Sequence, residues 1–73
     1  MKVEIRLFAT FRDGRDKKVY IDMDEPTPKK LLLEIGIFEE DVAILLINGH
    51  DGKFDQDILE NDYLSVFPPV GGG

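Results

Sequence analysis

The 73-residue sequence has no cysteine, no tryptophan and a single histidine. Without cysteine there is no disulfide, no thiolate metal site and no thiol nucleophile. The one histidine, His50, directly follows Asn48-Gly49, and neither Ser65 nor any threonine stands in a predictable relation to it, so it reads as a solvent-exposed turn residue. Positive charge is scarce as well: nine Lys and Arg face fifteen Asp and Glu, a net charge of −6. That balance argues against a phosphate-backbone binder, which needs clustered Lys and Arg, and it favours a basic protein partner over nucleic acid. Arg12, Arg15, Lys17 and Lys18 are interleaved with Asp13 and Asp16 and read as a solvated hairpin.

Long apolar runs are missing too. The N-terminus, MKVEIRLFAT, carries charges at Lys2, Glu4 and Arg6 in a period of two, unlike a signal peptide or a membrane span. The expectation is a soluble, cytoplasmic protein with no membrane partner. No phosphate-binding glycine motif occurs, since Gly49 and Gly52 sit in turns and no GK[ST] follows. Asp51, Asp55 and Asp57 do not make a calcium loop, because Lys53 stands where the second oxygen ligand is required. A chain this short buries only about 60% of its unfolded surface and has little left over for a cleft. The sequence therefore describes one domain without a catalytic constellation, metal site or bound cofactor.

What is present begins with alternation. Val3, Ile5 and Leu7 alternate with polar residues in a first strand running to about Ala9. The pattern resumes in Val19, Ile21 and Met23 after Asp13-Gly14, which predicts an antiparallel hairpin. At Thr27-Pro28 the period changes. Thr27 is held extended by the following proline, as an N-cap requires, and Pro28 sits where a missing N–H costs nothing. A helix of barely two turns should carry Leu31, Leu32 and Ile35 on one face and close at Gly36.

The rest is a series of short elements. Ile37 to Asp41 forms a connection anchored by Ile37 or Phe38, and Val42 to Ile47 reads as a largely buried strand closed by Asn48-Gly49. Phe54 and Ile58-Leu59 mark one short strand and a turn in an acidic segment. Asn61-Asp62 then turns the chain into a last strand, with Asn able to take a positive φ. The order implies an α+β fold: one mixed sheet, with a helix packed on one face against Val3, Ile5, Leu7, Val19, Ile21, Leu64 and Val66.

The other sheet face is left uncovered. Phe8 is opposite in phase to Val3, Ile5 and Leu7, and Phe67 to Leu64 and Val66, so both aromatics should point away from the helix. If the first and last strands are neighbours, they make one exposed patch, completed by Leu46 or Leu45 according to the phase of the third strand.

That patch adjoins the ending on which the chain is organised, YLSVFPPVGGG from Tyr63 to Gly73. Pro68 and Pro69 end sheet pairing and project the chain outward in a stiff, polyproline-like conformation. Gly71, Gly72 and Gly73 lack a Cβ and are slender enough to enter a channel that any side chain would block. The expected division is a domain over residues 1–70 and a glycine tail over 71–73.

The whole chain resembles the ubiquitin-like β-grasp sulfur carriers: the small subunit of molybdopterin synthase (MoaD), the thiamine-pathway carrier (ThiS) and archaeal ubiquitin-like modifiers. The specific part is END-YLSVFPPVGGG, supported by Leu7-Phe8-Ala9 and Leu46-Ile47-Asn48-Gly49. Gly71 stands where the family more often has Ala, Ser or Thr, and Asn61 replaces a glycine of the turn. The resemblance implies that an E1-like activating enzyme of the MoeB/ThiF type uses ATP to adenylate the carboxylate of Gly73. A sulfur donor would then convert it to a thiocarboxylate, and the tail would deliver the sulfur to an enzyme such as the large subunit of molybdopterin synthase. By the same likeness Gly72 and Gly73 are the reacting tail. Phe8, Leu46, Phe67, Pro68, Pro69, Val70 and Gly71 would face the partner. A thiamine-pathway carrier, a protein modifier and a β-grasp interaction module are the alternatives.

Overall fold

The computed structural model describes residues 1–69; the expectations for Val70 to Gly73 fall outside them. The described chain is a ubiquitin-like β-grasp. Strands β1 (Lys2–Leu7), β2 (Lys18–Asp22), β3 (Ile44–Ile47), β4 (His50–Asp51) and β5 (Tyr63–Phe67), with helix α1 (Pro28–Glu34), build one five-stranded sheet in the order β2-β1-β5-β3-β4. β1 and β5 are parallel neighbours at the centre, and the other pairings are antiparallel.

Helix α1 begins and ends as its sequence dictates. The Thr27 hydroxyl accepts from the Lys30 amide at 3.3 Å, and Pro28 occupies the first turn. At the other end Gly36 takes φ +79°. Its amide donates to the Leu33 carbonyl at 3.1 Å and that of Ile37 to the Leu32 carbonyl at 2.9 Å, a Schellman closure that only a left-handed residue permits. The turn delivers Ile37, not Phe38, into the core: Ile37 is buried and Phe38 exposed. Arg15 braces the same end, donating from Nε and a terminal nitrogen to the Ile35 carbonyl at 3.1 and 3.0 Å, and to the Phe11 carbonyl at 3.3 Å. A guanidinium on a helix C-terminus satisfies orphan carbonyls and complements the dipole. Arg15→Ala should therefore lower stability by about 1–2 kcal/mol in urea unfolding, with Arg15→Lys recovering only part of it.

The core follows the alternation: Val3, Ile5, Leu7, Leu64, Val66, Leu45 and Ile47 meet Leu31 and Leu32, and Phe11, Ile37 and Ile58 join the same buried cluster. Five expectations need correction. β1 ends at Leu7, because Ala9 takes φ +52° and opens a 3-10 turn over Ala9–Arg12 that buries Phe11. The hairpin connection is thus partly core and not merely solvated. The third strand is Ile44–Ile47, and it alternates. Leu45 and Ile47 are buried, whereas Ile44 is 49% exposed and Leu46 half-buried, since no element covers their face among the described residues. The short strand is His50–Asp51, not part of the segment from Phe54 to Leu59. His50, exposed, accordingly lies in this strand beyond the turn; the turn itself is Asn48-Gly49, with φ +54° and +82°, the paired positive values of a two-residue hairpin loop.

Candidate partner-binding site

The open sheet face is assembled by register. Glu4 of β1 lies between Tyr20 of β2 and Tyr63 of β5, and Arg6 lies between Lys18 and Ser65. Across β5, Ser65 faces Leu46 and Phe67 faces Ile44. Since paired residues share a face, the charged and tyrosine residues occupy one end of the sheet, and the apolar residues gather where β5 ends.

At that end the rings of Phe8 and Phe67 stack, with centroids 4.3 Å apart and planes 12° from parallel. Both are half-buried, so they cover one another and still present an edge to solvent. Such a pair contributes about 1 kcal/mol beyond its buried area. The backbone that holds Phe8 there is strained: Ala9 sits in the left-handed region, at a cost of about 1–2 kcal/mol for a residue with a Cβ. Arg12, from the turn that follows, donates from Nε to the Leu7 carbonyl at 2.7 Å and places its guanidinium 5.2 Å from the Phe8 ring centre.

Pro68 and Pro69 continue from Phe67 without joining the sheet. Pro68 is half-buried and Pro69 exposed. The described chain therefore leaves the sheet beside the stacked phenylalanines. Val70, Gly71, Gly72 and Gly73 lie outside the described residues.

The structure stacks Phe8 on Phe67, sets Leu46 on the same sheet face and has Pro68 and Pro69 follow Phe67 directly. Sequence reasoning missed Ile44 and Arg12, and it missed the polar end of the face. Ile44 was hidden in the unbroken run VAILLI, whose phase the sequence leaves open. The polar end is a cluster in which Arg6 lies 3.9 Å over the Tyr63 ring and bonds Glu4. The Arg6 hydrogen bond pulls the Glu4 carboxyl below the ordinary glutamate range, and the same bond raises Arg6. Period-two reasoning put these residues on the open face but gave no reason to group them.

Among the described residues no group of His, Asp and Glu gathers closely enough to hold a metal ion. No helix there is long and apolar enough to cross a membrane.

The arrangement is a ubiquitin-like domain with a partly exposed apolar patch where the described chain leaves the sheet after Phe67. The chain belongs to the ThiS family, whose profile matches residues 5–73. This is a family of small ubiquitin-fold sulfur carriers and modifiers. Among solved structures, a putative molybdopterin converting factor subunit 1 from Pyrococcus furiosus is 26% identical with a TM-score of 0.76, the match covering 96% of this chain and 99% of that one. The HVO 2177 protein of Haloferax volcanii is 31% identical, TM-score 0.75, over 100% of this chain and 87% of that one. A protein–protein complex of subunits 1 and 2 of the molybdopterin-converting factor from Helicobacter pylori matches at 24% identity and a TM-score of 0.61 over the full length of both chains, a likeness of fold. No curated protein matches significantly.

Proposed function

We propose that this protein is the sulfur carrier of a molybdopterin-forming system, with the Gly73 carboxylate as the carrying group. The observation that supports this most is the stacked Phe8–Phe67 pair at the point where the chain leaves the sheet for Pro68. An apolar anchor beside the root of a slender tail lets one docking event place the chain end in a second protein's site. The family membership supports the sulfur-carrier part of this reading, and the likeness to the Pyrococcus furiosus protein favours the molybdopterin part.

The chemistry needs activation, because a carboxylate is a poor electrophile. An E1-like enzyme supplies it: a Gly73 carboxylate oxygen attacks the α-phosphorus of ATP and pyrophosphate leaves. A donor at the sulfide oxidation level then adds to the acyl carbon and AMP departs, leaving a thiocarboxylate. Phe8, Ile44, Leu46 and Phe67 dock the carrier on its partners, and Pro68 through Gly72 span the distance to the reacting centre. ATP belongs to the activating enzyme, the receiving enzyme is the large subunit of the synthase, and the pterin precursor held there accepts the sulfur.

Intact-mass spectrometry tests the reading. After incubation with an E1-like enzyme of the same organism, ATP and a sulfide source, the mass should rise by one sulfur in place of one oxygen, located at Gly73. The loaded protein should then convert a pterin precursor when the synthase large subunit is added. Loading with transfer only to a thiazole-forming enzyme, or conjugates to lysines in place of transfer, would sink the molybdopterin assignment.

The patch makes its own prediction. Phe8→Ala with Phe67→Ala should weaken binding to the large subunit by at least about tenfold in calorimetry, the loss expected for paired aromatic anchors. Far-ultraviolet circular dichroism should be unchanged, since both rings lie on the face away from the core.

A further inference from the structure

A second apolar depression lies on the helix layer, away from the open sheet face. It is lined by Leu33 and Lys29 of α1, by Phe38, Glu39 and Glu40 just after it, and by Phe54. Leu33 is 46% and Phe38 52% exposed, and Phe54 is half-buried against the core.

The position of each wall is fixed by backbone geometry. The Schellman turn spends Ile37 on the core and leaves Phe38 outside. The Lys29 amide donates to the Phe54 carbonyl at 3.0 Å, and that of Ile58 to the Pro26 carbonyl at 3.0 Å. The segment carrying Phe54 is thereby tied to the start of α1, so the depression is a built feature of two chain segments.

Its rim is acidic. Glu39, Glu40 and Asp41 form a single 3-10 turn, and none of them takes part in an ion pair within the described residues. Lys29 is the one cation among the lining residues. Three adjacent unpaired carboxylates beside exposed Leu and Phe side chains are electrostatically unfavourable alone and complementary to a cationic, apolar-anchored ligand. The sign of the charge turns away nucleic acid and anionic membranes.

We propose that this groove docks a basic amphipathic segment of a partner protein, which seats an apolar side chain between Leu33, Phe38 and Phe54 and sets Lys or Arg against Glu39 and Glu40. The groove and the Phe8–Phe67 patch lie on different layers of the fold. A partner bound here holds the protein while its open face and tail engage another. The inference rests on the groove and not on the chemistry of the tail.

The test is amide chemical-shift mapping on the isotope-labelled full chain, titrated with a short amphipathic peptide of Leu, Phe and Lys. A scrambled peptide of the same composition is the control. The amphipathic peptide should shift Lys29, Leu33, Phe38, Glu39, Glu40 and Phe54 while leaving Phe8, Ile44 and Phe67 in place, and the scrambled peptide should bind about tenfold more weakly. Phe38→Ser and Glu40→Lys, both at exposed positions, should each weaken the amphipathic peptide by a similar factor, and Phe8→Ala should not. Equal binding of both peptides, shifts spread over all the acidic surface, shifts confined to the open sheet face, or no binding would each overturn the proposal. So would concentration-dependent shifts of these residues without peptide, which would make the groove a self-association surface.

Discussion

Removing Gly72 and Gly73 is expected to abolish sulfur loading outright while leaving the fold's stability unchanged within about 0.5 kcal/mol, the range of surface changes away from special features. The described core lies between Val3 and Val66, and Pro68 and Pro69 come after it. The described core is therefore expected to fold without Gly72 and Gly73. The chemistry, as proposed, needs a terminal carboxylate at the right reach. Truncation leaves Gly71 as the terminus, two residues short, and each extended residue spans at most about 3.3–3.6 Å. A carboxylate withdrawn by about 7 Å cannot meet the same α-phosphorus, and misplacement by far less costs a reaction orders of magnitude. Two measurements on one sample decide the matter: the urea midpoint should match the full chain, and the mass spectrum after activation should show no sulfur. Loading of the truncated chain would remove Gly73 from the mechanism, and a lowered midpoint would show that the terminus is part of the fold.

Leu64→Ala should do the reverse, lowering the stability of the fold through a residue buried away from the open face. Leu64 is fully buried on β5, paired with Ile5 on one side and Ile47 on the other. Truncating such a leucine costs about 2–5 kcal/mol in lost transfer energy and the cavity left behind. A domain of this length has roughly 4–11 kcal/mol in all, at 0.05–0.15 kcal/mol per residue. The urea midpoint should fall by at least about a fifth, with the slope unchanged. Phe67→Ala, three residues on, removes a stacked ring from the open face and should cost only about 1 kcal/mol. If the two variants shift the midpoint equally, the division between core face and contact face is wrong.

Strong local signals made much of this legible in the residues. Thr27-Pro28 and Gly36 bracket a helix because one fixes an extended cap and the other supplies a left-handed close. Asn48-Gly49 makes a two-residue hairpin loop for the same kind of reason. The alternation of Val3, Ile5 and Leu7 against Phe8 put the phenylalanine on the face opposite the helix, and Phe67 followed in the same way. Where the local pattern was uniform, it failed. VAILLI is apolar throughout, so its phase, and with it the choice of Leu46 over Leu45 and the exposure of Ile44, was invisible until β3 paired with β5. Phe11 looked like part of a charged connection because nothing in its neighbours reveals the positive φ of Ala9 that swings it inward.

The sequence by itself determined the alternation of the first, second and last strands, the ends of the helix, the acidic balance and the proline exit toward three glycines. These rest on backbone sterics and composition, which act over a few residues. Tertiary structure alone decided that Phe8 and Phe67 stack, that Arg12 lies over Phe8, that Arg6 bridges Glu4 and Tyr63, and that Leu33, Phe38 and Phe54 line one groove. All but the Arg12–Phe8 contact, which lies within one turn, join residues from separate elements. Such contacts follow from strand order and register, and those are fixed only when the sheet buries its common face against the helix.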